Sequence, residues 1–160
     1  MLLSERRIHL DVGTKAAGTE GFVLHVSESL FRLTTECIRL YSNETHLYQS
    51  LGALVSTRLA IPGGIDKVHA DDMQAHFATL PTHGNLRIDL RIPDADVQTL
   101  AEIRHDLDRR LGTRLTLADA LSALLFDYIV DANAAKILDR LKRENLLSAG
   151  PDAPTDQLPH

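Results

Sequence analysis

Polar and apolar residues alternate strictly from 86 to 92. In an extended chain this puts Leu86, Ile88, Leu90 and Ile92 on one face and Arg87, Asp89 and Arg91 on the other. Pro93 ends the run. Val97, Leu100, Ile103 and Leu107 then recur at helical spacing, which predicts a helix over 94–111 closed by a left-handed Gly112. Thr116 and Asp119 have the spacing of a capping box, and Leu117, Leu121, Leu124, Leu125 and Tyr128 carry an apolar face onward. A last helix is expected over 134–147. The tail, 148–160, holds no core-forming pattern and is expected to be flexible.

The N-terminal half repeats some of this order. Ile8, Leu10 and Val12 alternate with Arg7, His9 and Asp11, and 22–27 is a second strand candidate. A glycine-bearing loop between them predicts a β-hairpin. Leu30, Leu33, Cys37 and Leu40 predict a helix over 29–41, and Asn43 is placed to cap another that runs to Leu59 before Pro62-Gly63-Gly64. A shorter helix is expected over 70–80. Pro81-Thr82-His83-Gly84-Asn85 then breaks the chain. The expected organisation is an accessory region of hairpin and helices at 1–84, a module at 85–147 and the tail. The order strand, helix, helix occurs twice, at 22–59 and 86–129, and SLGALVSTRL loosely matches ALSALLFDYI.

Composition narrows the function classes. The chain of 160 residues is 44% hydrophobic with only 4% aromatics and no Trp, so its core is aliphatic and favours helices. The formal net charge of −5 argues against non-specific polyanion binding, though not against a local basic strip. Cys37 is the single cysteine and lies in an apolar register, so it reads as a buried structural thiol in a reducing compartment. The first residues lack a signal-peptide apolar core, and no apolar run approaches the roughly 18 residues of a membrane span. These features predict a cytoplasmic protein with no membrane contact.

The chemistry concentrates on 86–92. One short strand cannot satisfy its own backbone donors and acceptors, so it must pair. Pairing between two copies of the chain would complete an antiparallel ribbon, with Leu86, Ile88, Leu90, Ile92, Leu121, Leu124 and Leu125 as the dimer core and Arg87, Asp89 and Arg91 outward twice. Such a ribbon fits the major groove, where arginine bonds guanine and aspartate can accept from cytosine. The outward positions of the first strand, Val23, His25 and Ser27, hold no arginine. A ribbon made within one chain would therefore read DNA on one half only, which favours the homodimer.

The strand closed by Pro93, the acidic helix start, the Gly112-Thr113-Arg114 turn and the Thr-capped second helix resemble the ribbon-helix-helix superfamily typified by the MetJ, Arc and CopG repressors. The resemblance implies an α+β, mostly helical protein with a C-terminal ribbon-helix-helix module. It implies base reading by Arg87, Asp89 and Arg91. It also implies phosphate binding at Thr113, Arg114, Leu115 and Thr116, where free amides and the helix dipole suit an anion. The expected function is sequence-specific transcriptional regulation by a dimer on double-stranded DNA, with higher-order contacts or a protein partner through the N-terminal region. Plasmids and integrating conjugative elements are the expected setting. Two alternatives are a relaxosome or plasmid-partition accessory protein, and a protein-interaction module whose strand pairs with a partner's edge.

Other candidates are bland. His69, Asp71, Asp72, His76 and His83 could suggest zinc but show no HExxH and no paired cysteines, so surface histidines are the expectation. No phosphate-cradling motif and no nucleophilic triad spacing is found, so neither an enzyme nor a cofactor is expected. Lys136, Arg140, Lys142 and Arg143 flank Ile137, Leu138 and Leu141 on the last helix. That pattern suits a membrane-surface or partner helix, but the plainer expectation is that it covers the dimer core or extends the helix before it.

Overall fold

The computed structural model describes residues 19–63, 65 and 68–149. The strand expected over 7–12 and most of the tail, 148–160, lie outside the described residues. Among the described residues, two strands and five helices follow in the order β1 (Thr19–Val26), α1 (Glu28–Thr45), α2 (Leu51–Leu59), α3 (Ala70–Thr79), β2 (Leu86–Pro93), α4 (Asp94–Leu111) and α5 (Leu117–Ala149).

The mate of β2 is β1 of the same chain. The two run antiparallel over their full length, with Gly21 opposite Arg91, Val23 opposite Asp89 and His25 opposite Arg87. This overturns the expected architecture. A C-terminal ribbon-helix-helix module is not formed, because residues 86–149 supply one strand and the other comes from the N-terminal half. Of the strand expected over 22–27, residues 22–26 fall within β1, whose neighbour among the described residues is β2; the hairpin expected with 7–12 falls outside the described residues. The reason is physical. Periodicity shows that a strand needs a partner but not which one, and β1 supplies a whole row of backbone groups at high local concentration. The set read as a dimer core instead packs within one chain. Ile88, Leu90, Ile92, Leu121, Leu124 and Leu125 are all buried, while Leu86 is 40% exposed.

Helix boundaries follow their caps. Ser27 caps α1 by accepting from Leu30 N, and its own backbone N–H donates to Thr82 O, which ties the 81–84 segment to the end of the ribbon. Asn43 caps nothing; it lies inside α1, which runs to Thr45 and ends on a left-handed His46 (φ 60°). The cap of α2 is Ser50, whose hydroxyl accepts from Ala53 N. Helix α4 closes on Gly112 at φ 68°, as its spacing predicts. The separate helix expected over 134–147 is a continuation of α5, 33 residues long, since nothing between 117 and 149 is a proline or glycine.

The chain divides at Asp127 and Tyr128 into two units. In the first, the inner face of the ribbon is covered by helices. Leu30 and Cys37 of α1, Leu54 and Val55 of α2, Met73 of α3, Leu100 and Leu107 of α4, and Leu121, Leu124 and Leu125 of α5 are all at or near zero exposure. Each such side chain contributes on the order of 1.5–3 kcal/mol when fully buried. Arg58 and Asp127 form an ion pair of 2.8 Å inside this unit, with side chains only 10% and 4% exposed. The second unit is the C-terminal part of α5, whose side chains are exposed from Asn133 to Leu146. Among the described residues no helix is long and apolar enough to cross a membrane.

Candidate nucleic-acid interface

Alternation along β2 buries one side and leaves Arg87, Asp89 and Arg91 in solvent. Directly opposed residues of an antiparallel pair project to the same face. The outward surface of the ribbon is therefore three cross-strand pairs: Arg87 with His25, Asp89 with Val23, and Arg91 with Gly21. Val23 is 45% exposed, and His25 and Gly21 are exposed. Arg87 Nε lies 3.2 Å from Asp89 Oδ1 with both side chains more than half exposed. That pair is geometrically real and worth little in water.

Arg91 leans across the ribbon. A Cβ placed on Gly21 would stand 3.3 Å from Arg91 Nη1 and 3.6 Å from its Cζ, so the guanidinium lies over the β1 backbone where a side chain is missing. From below, α2 presses on the same residue: a Cβ on Gly52 would meet the Arg91 carbonyl at 2.2 Å. Arg91 is thus held at its backbone by α2 and given room at its tip by Gly21.

The turn between α4 and α5 is where the resemblance places a phosphate. Thr113, Arg114 and Thr116 are exposed there, and Leu115 is 8% exposed. Its amides are largely engaged by acids. Leu115 N donates to Asp108 Oδ1 at 2.7 Å and Thr116 N to Asp119 Oδ2 at 2.9 Å, while Asp119 N donates back to Thr116 Oγ1. The last two bonds are the reciprocal capping box that the spacing predicts. Asp119 also accepts from Thr82 Oγ1, which joins the 81–84 segment to the start of α5. An anion at this turn meets the side chains of Arg114 and Thr113 rather than a row of free amides.

The histidine-rich stretch gathers no metal site: among the described residues, no three His, Cys, Asp or Glu side chains converge. His76 instead bonds Ser122 at 2.7 Å and stacks on Phe126 with ring centroids 4.4 Å apart. Burial holds its imidazole below the ordinary range, partly offset by the Ser122 hydrogen bond. Cys37 is fully buried, with Sγ 3.8 Å from Leu125 O. Burial, with a smaller push from the neighbouring Glu36, raises its thiol to about 12 against a small opposing pull from Arg58.

Of the base-reading set, the structure brings Arg87, Asp89 and Arg91 onto one exposed face of a true ribbon. It does not duplicate them, and the other strand contributes Gly21, Val23 and His25. Gly21 is the residue that sequence reasoning misses. The one signal for it is the matching layout of the halves: both strands have 8 residues and both following helices have 18. Compared with protein-family models, with characterised proteins and with solved structures, the chain matches none.

Proposed function

We propose that the outward face of the ribbon reads double-stranded DNA in the major groove, and that the protein is a sequence-specific regulator of transcription acting in the cytoplasm. The observation that carries this reading is an antiparallel ribbon buried on its inner side, with Arg87, Asp89 and Arg91 standing in solvent on the other. A ribbon of two strands has the width the major groove admits. A guanidinium donates two bonds to guanine O6 and N7, and a carboxylate accepts from cytosine N4. The exposed Arg87–Asp89 pair is weak enough to be exchanged for base contacts at small cost. Arg114, exposed in the turn between α4 and α5, is the side chain offered to a phosphate.

The net charge of −5 fits this division of labour. Few phosphate contacts mean little non-specific affinity, so discrimination rests on the base contacts. The salt dependence is correspondingly shallow, because its slope scales with the number of phosphates neutralised. The same ribbon would serve a relaxosome or plasmid-partition protein, from which genomic site location distinguishes a regulator.

Fluorescence anisotropy on duplexes enriched from a random pool, repeated across a salt series, tests the reading. The expected result is saturable, site-selective binding. Arg91→Ala loses roughly 5- to 150-fold on the selected site and relaxes its sequence preference, whereas Arg114→Ala weakens all duplexes alike. If no duplex is enriched at low salt, DNA reading fails and the exposed strands are left as a surface for a protein partner.

A further inference from the structure

We infer that the ribbon reads a DNA site without two-fold symmetry, one copy of the chain per site, with β2 specifying a G- and C-bearing strand segment and β1 contributing a half with no guanidinium or carboxylate of its own, thymine-tolerant at Val23. The inference rests on the DNA reading above and deepens it.

A ribbon built from the same strand of two copies carries a two-fold axis through its centre. Whatever one end recognises, the other recognises on the opposite DNA strand, and the site is a palindrome. This ribbon has two different strands. Turning it half a revolution about the central Val23–Asp89 pair would bring Gly21 to the place of Arg87, Val23 to that of Asp89 and His25 to that of Arg91. All three outward positions change chemistry under that operation: absent side chain against guanidinium, isopropyl against carboxylate, imidazole against guanidinium. No symmetric site can satisfy both halves equally.

The reach agrees with a short asymmetric word. Outward residues two apart advance about 6.6 Å along a strand, so Arg87 to Arg91 spans roughly 13 Å. That is about four base steps at 3.4 Å each. Within that word the arginines favour guanine and Asp89 favours cytosine, while Val23 has only methyl groups to offer the C5-methyl of thymine. Arg91 lies over Gly21 and so crosses onto the β1 half. Gly21 is thereby a positioning residue: it decides which side of the ribbon the guanidinium occupies.

Selection of bound duplexes from a random pool, with native mass spectrometry of the complexes, tests this. The expected motif has no dyad symmetry and is occupied by one chain. The combined variant Gly21→Arg, Val23→Asp and His25→Arg changes only exposed positions and gives both strands the same outward set. It is expected to select a motif with two-fold symmetry. Gly21→Val is expected to change the preference at the base read by Arg91 while leaving the others. A palindromic motif for the unmodified protein, or two chains per site, would overturn the inference and leave DNA reading intact. Failure to enrich any duplex would overturn both. If the combined variant fails to fold, as judged by circular dichroism, the symmetry and stoichiometry of the unmodified complex decide the matter alone.

Discussion

A half-buried histidine, a buried thiol and a buried ion pair carry most of what single residues say about this molecule. His76 stacks on Phe126, and its burial disfavours the charged ring. Its folded-state affinity for a proton is therefore lower than in the unfolded chain, where the ordinary value is 6.5. The unfolded state binds more protons as pH falls below that value, so the stability His76 contributes is present above it and is lost on acidification. Thermal melts from neutral to mildly acid pH are expected to slope downward, and His76→Gln is expected to flatten that slope. An unchanged slope would show that other groups set it. Cys37 has the opposite sense. Its thiol is raised from 9.0 to about 12, so the unfolded chain ionises first and stability falls as pH rises between those values. Neutral and buried, the thiol should resist a disulfide reagent at pH 7 until denaturant is added. Fast stoichiometric labelling of the native protein would contradict its burial. Asp127 is paired with Arg58 at 2.8 Å in a nearly closed site. Asp127→Ala takes this carboxylate from a buried guanidinium and should cost about 3–5 kcal/mol, read as a lowered urea midpoint.

Among the elements, α2 is the one whose seat is tightest. Gly52 lies within its first turn, and the position its Cβ would take is 2.2 Å from a backbone carbonyl of β2. A carbonyl in a paired strand cannot swing aside as a flexible side chain can. Gly52→Ala gains helix propensity of about 1 kcal/mol but must lift α2 off the ribbon. The net result is expected to be a loss of about 1–3 kcal/mol in chemical denaturation. A stabilised variant would mean that α2 does not press on Arg91. Elements of this kind are largely legible in the amino-acid sequence. The spans of β2 and α4, the Gly112 stop and the Thr116–Asp119 box follow from periodicity and cap chemistry, which are local. The start of α2 is not, because Asn43 and Ser50 are equally good caps by type. Only the left-handed His46 between them shows that the first helix overruns Asn43. The pairing of β1 with β2 is not legible either. Between Val26 and Leu86 lies a long intervening stretch of chain that no alternation pattern spans. The outward residues of the site are therefore readable one strand at a time, while their juxtaposition is not.

On the scale of the whole chain, the completed ribbon removes the argument that two copies must meet through β2. The mate that strand requires is already present, and a single copy displays the entire outward face. What remains unlike the rest is the long final helix. Its beginning, from Ala118 to Leu125, sits in the core of the first unit, whereas from Asn133 to Leu146 every side chain is exposed, with Ile137 at 48%, Leu138 at 57% and Leu141 at 48%. Burial, rather than intrinsic propensity, supplies most of the stability of a protein helix. The two stretches share one hydrogen-bonded ladder but not one source of stability. Amide exchange should therefore divide this helix. Protection from about Ala120 to Asp127 is expected to match global unfolding, and beyond Asn133 it should fall progressively toward that of an isolated helix. Because the side chains from Asn133 to Leu146 are exposed, ending the chain after residue 133 is expected to leave the urea midpoint of the first unit nearly unchanged. Uniform protection along all of α5, or a large loss of stability on that truncation, would mean that its exposed apolar residues are covered in solution.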